Sequence, residues 1–145
     1  MGIKLSQNIY RTGYILLILL WGTTAASKLG DLKGFQADLD KQVFTVAFTS
    51  FLLFAVPVSE LIAALLLAFV KSRLIGLFLS LILIASFTIY IILILAGYFN
   101  KVPCSCGGVL KLLGWKMHLL FNLFFTAITL LTIYIHLKRE VGDKE

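Results

Sequence analysis

Two cysteines stand one residue apart in Val102-Pro103-Cys104-Ser105-Cys106-Gly107-Gly108, and they are the two thiols of the whole 145-residue chain. Residues two apart in an extended backbone send their side chains the same way. Their Cα atoms are then roughly 6–7 Å apart, at the upper edge of disulfide geometry, so a bond between the sulfurs carries strain. A strained disulfide is easily reduced and suits exchange better than permanent cross-linking. Gly107 and Gly108 let the backbone bend to relieve that strain, and Pro103 fixes the entry to the segment. Lys101, Lys111 and Lys116 flank the pair, and nearby positive charge favours thiolate, the reactive form, over thiol. Thiol–disulfide exchange is the chemistry this constellation points to.

Two alternatives stay open on the residues alone. Thiolates suit soft metals, but His118 is the one other soft ligand close in sequence, which leaves a mononuclear site short of ligands within one chain. No resident metal is expected on that count. The other alternative is a pair of inert buried thiols, for which a polar, glycine-rich segment is a poor setting.

A second group of chemically able residues lies inside apolar sequence. Glu60 falls in the middle of one apolar run, three residues after Pro57. An ionisable group at bilayer depth costs at least about 2.5–3.5 kcal/mol, so it marks a functional position by default. Counted from Phe51 at the helical rise, Glu60 lies about 13 Å deep. Asn122 counted from Gly114, and Tyr90 counted from Tyr98, both come out about 12 Å deep. Trp115, His118, Asn122, Thr126 and Thr129 follow three- and four-residue steps and so share one helical face. That face should turn inward, because lipid offers no partner for an amide or an imidazole. A polar pocket beneath the cysteine segment follows, with His118 and Glu60 as proton-handling groups and Tyr90 and Asn122 as lining residues. The competing role for such side chains is to hold helices to one another.

The elements that must position these groups are helices in a membrane. Sixty per cent of the residues are apolar and 14% are charged, and the mean hydropathy is +1.00, against about 25% charged residues in soluble domains. Four apolar stretches, at about 12–27, 50–70, 74–98 and 115–137, are each near the ~20 residues that cross a hydrocarbon core of ~30 Å. The expected fold is an all-α bundle of four transmembrane helices, one domain over residues 1–145. Between the first two spans, Lys28 to Lys41 is polar, with Gly30 and Gly34 expected to break regular structure. Phe35, Leu39 and Val43 are spaced four apart, so the second half of this stretch reads as a short amphipathic helix on the membrane surface. Pro57 should kink the second span.

The net charge of +6 does not indicate nucleic acid, because Lys and Arg cluster where apolar runs end, as headgroup anchors. Arg11, Lys28, Lys71, Arg73, Lys138 and Arg139 are such positions. An N-terminal Met1-Gly2 with Ser6 formally fits a myristoylation signal, and Tyr14 to Ala26 the apolar part of a leader; a retained first span is the expectation. With both termini cytoplasmic, Lys4, Arg11, Lys71, Arg73, Lys138, Arg139 and Lys144 lie inside. Lys28, Lys33, Lys41, Lys101, Lys111 and Lys116 then lie outside, with the cysteine segment. The compact basic turn at Lys71 and Arg73 supports this orientation.

Four spans, a polar first outer segment, the intramembrane Pro57-Val58-Ser59-Glu60 and Cys104-Ser105-Cys106-Gly107 ahead of the last span resemble the MauE/DoxX group of small redox-associated bacterial membrane proteins. The MauE branch carries a Cys-x-Cys element here, usually continued by Phe-Gly where this chain has Gly107-Gly108. The resemblance implies a multi-pass inner-membrane protein with its cysteine loop in the periplasm and both termini cytoplasmic. It implies a thioredoxin-like or disulfide-rich periplasmic partner, a role in maturing an exported protein, and a quinone as electron acceptor. It points to a thiol–disulfide oxidoreductase component in which Cys104 and Cys106 are the redox pair. The rival functions are a membrane protein that binds or transports a metal or small solute through the cysteines, and an assembly factor in which they are incidental.

Overall fold

A computed structural model describes residues 2–98 and 114–142. The described residues form five α-helices, α1 Gly2–Gly30, α2 Leu32–Asp40, α3 Val46–Ala68, α4 Arg73–Leu95 and α5 Trp115–Gly142, with a 3-10 turn at Val70–Ser72 ahead of α4. The stretches Lys4–Gly30, Val46–Ala68, Val70–Leu95 and Trp115–Arg139 are long and apolar enough to cross a membrane. The shortest has 23 residues, which at the helical rise is about 35 Å and clears a hydrocarbon core of ~30 Å. The fold is all-α with four such helices, and α2 is the short amphipathic element between the first two.

Helix ends follow the local chemistry. Thr45 caps α3, its Oγ1 accepting from the Phe48 N–H at 3.4 Å. At the end of α4 the chain turns through Gly97, at φ 74°, the left-handed conformation that glycine adopts without a Cβ penalty. The Tyr98 N–H then bonds Leu93 O, and the Gly97 N–H bonds Ile94 O, each at 3.1 Å, satisfying carbonyls that the helix leaves open. Within α3 the helix runs on through Pro57, which is buried.

The polar stretch after α1 departs from expectation. Gly30 ends α1, but Gly34 lies inside α2, because Asp31 caps that helix and accepts the Gly34 N–H at 2.9 Å. The Asp31 carboxylate occupies the space that a Cβ on Gly34 would need. Phe35 and Leu39 of α2 are buried, whereas Val43 lies beyond the helix and is exposed. The helix packs down on α3 and α1 through these two side chains.

In cross-section the long helices form a ring: α1 packs on α3 and α5, and α4 packs on the same two. Leu17, Ala63, Leu67 and Leu77 are fully enclosed at its centre. Lipid tails are as apolar as leucine, so close backbone approach and interhelical hydrogen bonds must supply much of the cohesion. At Gly76 the backbone of α4 lies so near α3 that a Cβ would sit 2.8 Å from Leu67 N. Across the ring, Trp21 Nε1 on α1 donates to Ser80 Oγ on α4 at 2.8 Å, and that hydroxyl donates to Gly76 O at 2.8 Å. Near the chain's two ends, Tyr10 on α1 and His136 on α5 share a hydrogen bond of 2.9 Å. The Arg73 guanidinium lies 3.9 Å from the Tyr14 ring centre there.

Candidate functional site

Above the Trp21–Ser80 bond the ring opens into a cavity of about 380 Å³. Its walls come from the last turns of α1, the first half of α3, the second half of α4 and the start of α5, with α2 over it. Segment 99–113 joins the end of α4 to the start of α5, so both its flanks belong to this end of the bundle. Cys104 and Cys106 lie outside the described residues, as do Pro103, Lys101 and Lys111.

Most of the lining is aromatic or aliphatic: Trp21, Phe44, Phe87, Trp115, Phe121 and Phe125 are examples. Set into it are Glu60, Lys28, His118, Asn122, Tyr90 and Gln42. Glu60, His118, Asn122 and Tyr90, each taken from a different apolar run or a different turn of one, thus border a single space. A few placed polar groups in an apolar cavity of this size are typical of a small-molecule site.

Glu60 is the most deeply enclosed of them, with its residue 1% exposed. Lys28, near the end of α1, folds back along its own helix and gives Nζ to both carboxylate oxygens, at 2.7 and 3.0 Å. This corrects the expected headgroup-anchor role of Lys28, whose side chain is only 12% exposed. A lone carboxylate at this depth would be costly, and the lysine stem is long enough to reach it. Phe35 of α2 covers the ammonium, with its ring centre 5.8 Å from Nζ. Composition could not signal this pair, because 32 residues separate the partners.

Tyr90 works elsewhere in the wall. Its hydroxyl donates to Gln42 Oε1 at 2.6 Å, and Phe44 stacks on its ring at 5.3 Å. These contacts tie the chain just after α2 to α4 and close the cavity on that side. Nothing in the sequence marks Gln42 among the polar residues of this stretch.

On α5, His118 and Asn122 are one turn apart and 5% and 7% exposed. His118 Nδ1 and Asn122 Nδ2 have no hydrogen-bond partner among the described residues. Buried polar atoms are nearly always partnered, and these two enclosed nitrogens belong to side chains that border one cavity. The threonines of the same face are otherwise engaged: Thr126 donates to Asn122 O at 2.8 Å and Thr129 to Phe125 O at 2.7 Å. They satisfy themselves within the helix, as hydroxyls in membrane helices can. Among the described residues no group of three or more His, Cys, Asp or Glu side chains could hold a metal ion.

Residues 6–135 match the family model described as methylamine utilisation protein MauE. No curated protein and no solved structure matches the chain. The match spans most of the sequence, and the chain belongs to the MauE family. With four helices built to cross a bilayer, it is a multi-pass membrane protein.

Proposed function

We propose that this MauE-family protein is a thiol–disulfide relay of the bacterial inner membrane, with Cys104 and Cys106 as the exchanging pair on the periplasmic side. In the oxidising direction, a thiolate of an exported or thioredoxin-like partner attacks the Cys104–Cys106 disulfide and forms a mixed disulfide. The partner's second thiol resolves it, leaving the partner oxidised and both cysteines as thiols. Two electrons and two protons then pass from the dithiol to a quinone, which becomes the hydroquinone while the Cys104–Cys106 disulfide re-forms. Net disulfide formation suits the maturation of a disulfide-containing exported protein, and the family's link to methylamine utilisation names one setting for it.

The observation that carries this reading is the cavity under the ends of α4 and α5, between which the cysteine segment runs. His118 and Asn122, whose Nδ1 and Nδ2 have no partner among the described residues, border it together with the ion pair of Lys28 and Glu60. His118, one turn into α5, is the described polar side chain of the cavity nearest in sequence to the cysteines, and its ring nitrogens suit it to hold a proton between thiol and acceptor. Glu60, held by Lys28, keeps a second proton-capable group at the deeper end.

Single replacement of Cys104 or Cys106 by Ser tests the relay. Each variant should insert normally yet fail to oxidise a reduced partner. Full partner oxidation by both single variants would overturn it.

A further inference from the structure

The cavity has a closed side and an open side. Toward the aqueous end, the buried Phe35 and Leu39 of α2 lie over it, and the Tyr90–Gln42 hydrogen bond with the stacked Phe44 fastens that cover to α4. Between α3 and α4 the arrangement differs. These helices touch backbone to backbone at Gly76, beside their connecting turn. Further along, Phe48, Leu52 and Val56 of α3 and Ser86 of α4 line the cavity from its two sides. Phe48 is 45% exposed and Ser86 is also exposed, so residues that line the cavity also lie on the outside of the bundle. Ser86 is thirteen residues into α4 from Arg73, about 20 Å along the helix, which places this opening within the hydrocarbon layer.

An occupant that enters beside Ser86 comes from the lipid, and the lining selects its chemistry. Asn122 Nδ2 is a donor, and His118 Nδ1 donates or accepts according to tautomer, so together they match either a carbonyl or a hydroxyl oxygen. Trp21, Phe87, Trp115 and Phe121 offer faces and edges to a flat ring. A volume of about 380 Å³ is at the small end of ligand cavities, enough for a substituted ring but not for a long isoprenoid chain. The chain must lie elsewhere, and the α3–α4 seam is where it can.

We propose that the cavity is loaded sideways from the membrane, through the seam between α3 and α4 beside Ser86. Its occupant is a quinone-class molecule whose ring oxygens meet His118 and Asn122 and whose apolar tail stays in the seam. This rests on the reading that the cavity holds the relay's electron acceptor, and it adds the route and the orientation.

The chain's two tryptophans, Trp21 and Trp115, both line the cavity, so intrinsic fluorescence reports its occupancy. The full-length protein in lipid nanodiscs is titrated with a benzoquinone that carries an alkyl chain. Saturable quenching is expected, with affinity lowered about tenfold in Asn122→Leu by the loss of one hydrogen bond. Narrowing the seam with Ser86→Phe and Val56→Phe should slow association about tenfold, while Gln36→Ala on the exposed face of α2 leaves the rate unchanged. Ser86→Leu repeats the test with a smaller side chain at the same exposed position. Association that ignores the seam variants but quickens in Phe35→Ala of the α2 cover would overturn the lateral route while keeping the cavity as a quinone site. Quenching that never saturates would overturn the occupant itself. The exchange chemistry of Cys104 and Cys106 would then still be judged by partner oxidation in their Ser variants.

Discussion

Lys28 gives its ammonium to both oxygens of Glu60, at 2.7 and 3.0 Å, joining the end of α1 to the middle of α3 inside a membrane span. Neither group would be stable there alone, since the desolvation of each is offset only by the other. The pair also fixes the register of α1 against α3 and forms one wall of the cavity. It holds two helices together and borders the cavity.

Removing one partner should be worse than removing both. Lys28→Met leaves an uncompensated carboxylate and should cost about 3–5 kcal/mol, whereas Lys28→Met combined with Glu60→Gln should recover much of that loss. Reversible unfolding in mixed detergent micelles measures the difference. Equal destabilisation of the single and double variants would mean that the pair is not coupled.

The bond across the ring from Trp21 to Ser80 makes a similar demand on a smaller scale. Ser80→Ala strands the indole N–H in a fully enclosed place and should cost about 1–3 kcal/mol. The same unfolding assay reads this. Because Trp21 also borders the cavity, its emission should shift in the variant.

Glycines separate by what surrounds them. Gly76→Leu forces α4 away from the Leu67 backbone and should destabilise by about 1–3 kcal/mol, if the protein folds at all. Gly22, in the middle of α1, has nothing within 4 Å of a prospective Cβ. Gly22→Ala should therefore stabilise, by about 0.5–1 kcal/mol, through the entropy that glycine loses in a helix. Thermal unfolding of the two variants should move in opposite directions.

On the proposed reading, Asn122 serves a ligand at some cost to the fold. Asn122→Leu removes a buried amide whose Nδ2 has no partner among the described residues, so stability should hold or rise while quinone-dependent reoxidation of the dithiol falls. Stability and turnover measured on one preparation test this. A loss of both together would return Asn122 to a purely structural role.

Much of this architecture was legible in the sequence. Four long apolar stretches against so few charges leave little but membrane helices, and the three- and four-residue steps through Trp115, His118 and Asn122 mark an inward face on α5. Glu60 stood out because a carboxylate in an apolar run is costly. What could not be read was pairing at a distance. Lys28 looked like one more basic residue at the end of a span, and only the packing of α1 on α3 brings it to Glu60. Gly34 looked like a breaker because the Asp31 cap that keeps it helical depends on local geometry. Gln42 gave no sign at all, since its bond to Tyr90 depends on where α2 lies over the bundle.

The central claim is that Cys104 and Cys106 face the periplasm and cycle between disulfide and dithiol. Intact cells treated with a membrane-impermeant thiol reagent, with and without prior reduction, test it most directly. Labelling of both cysteines that rises sharply after reduction is the expected result. Cysteines that stay fully reduced, or that no external reagent reaches even after reduction, would contradict it.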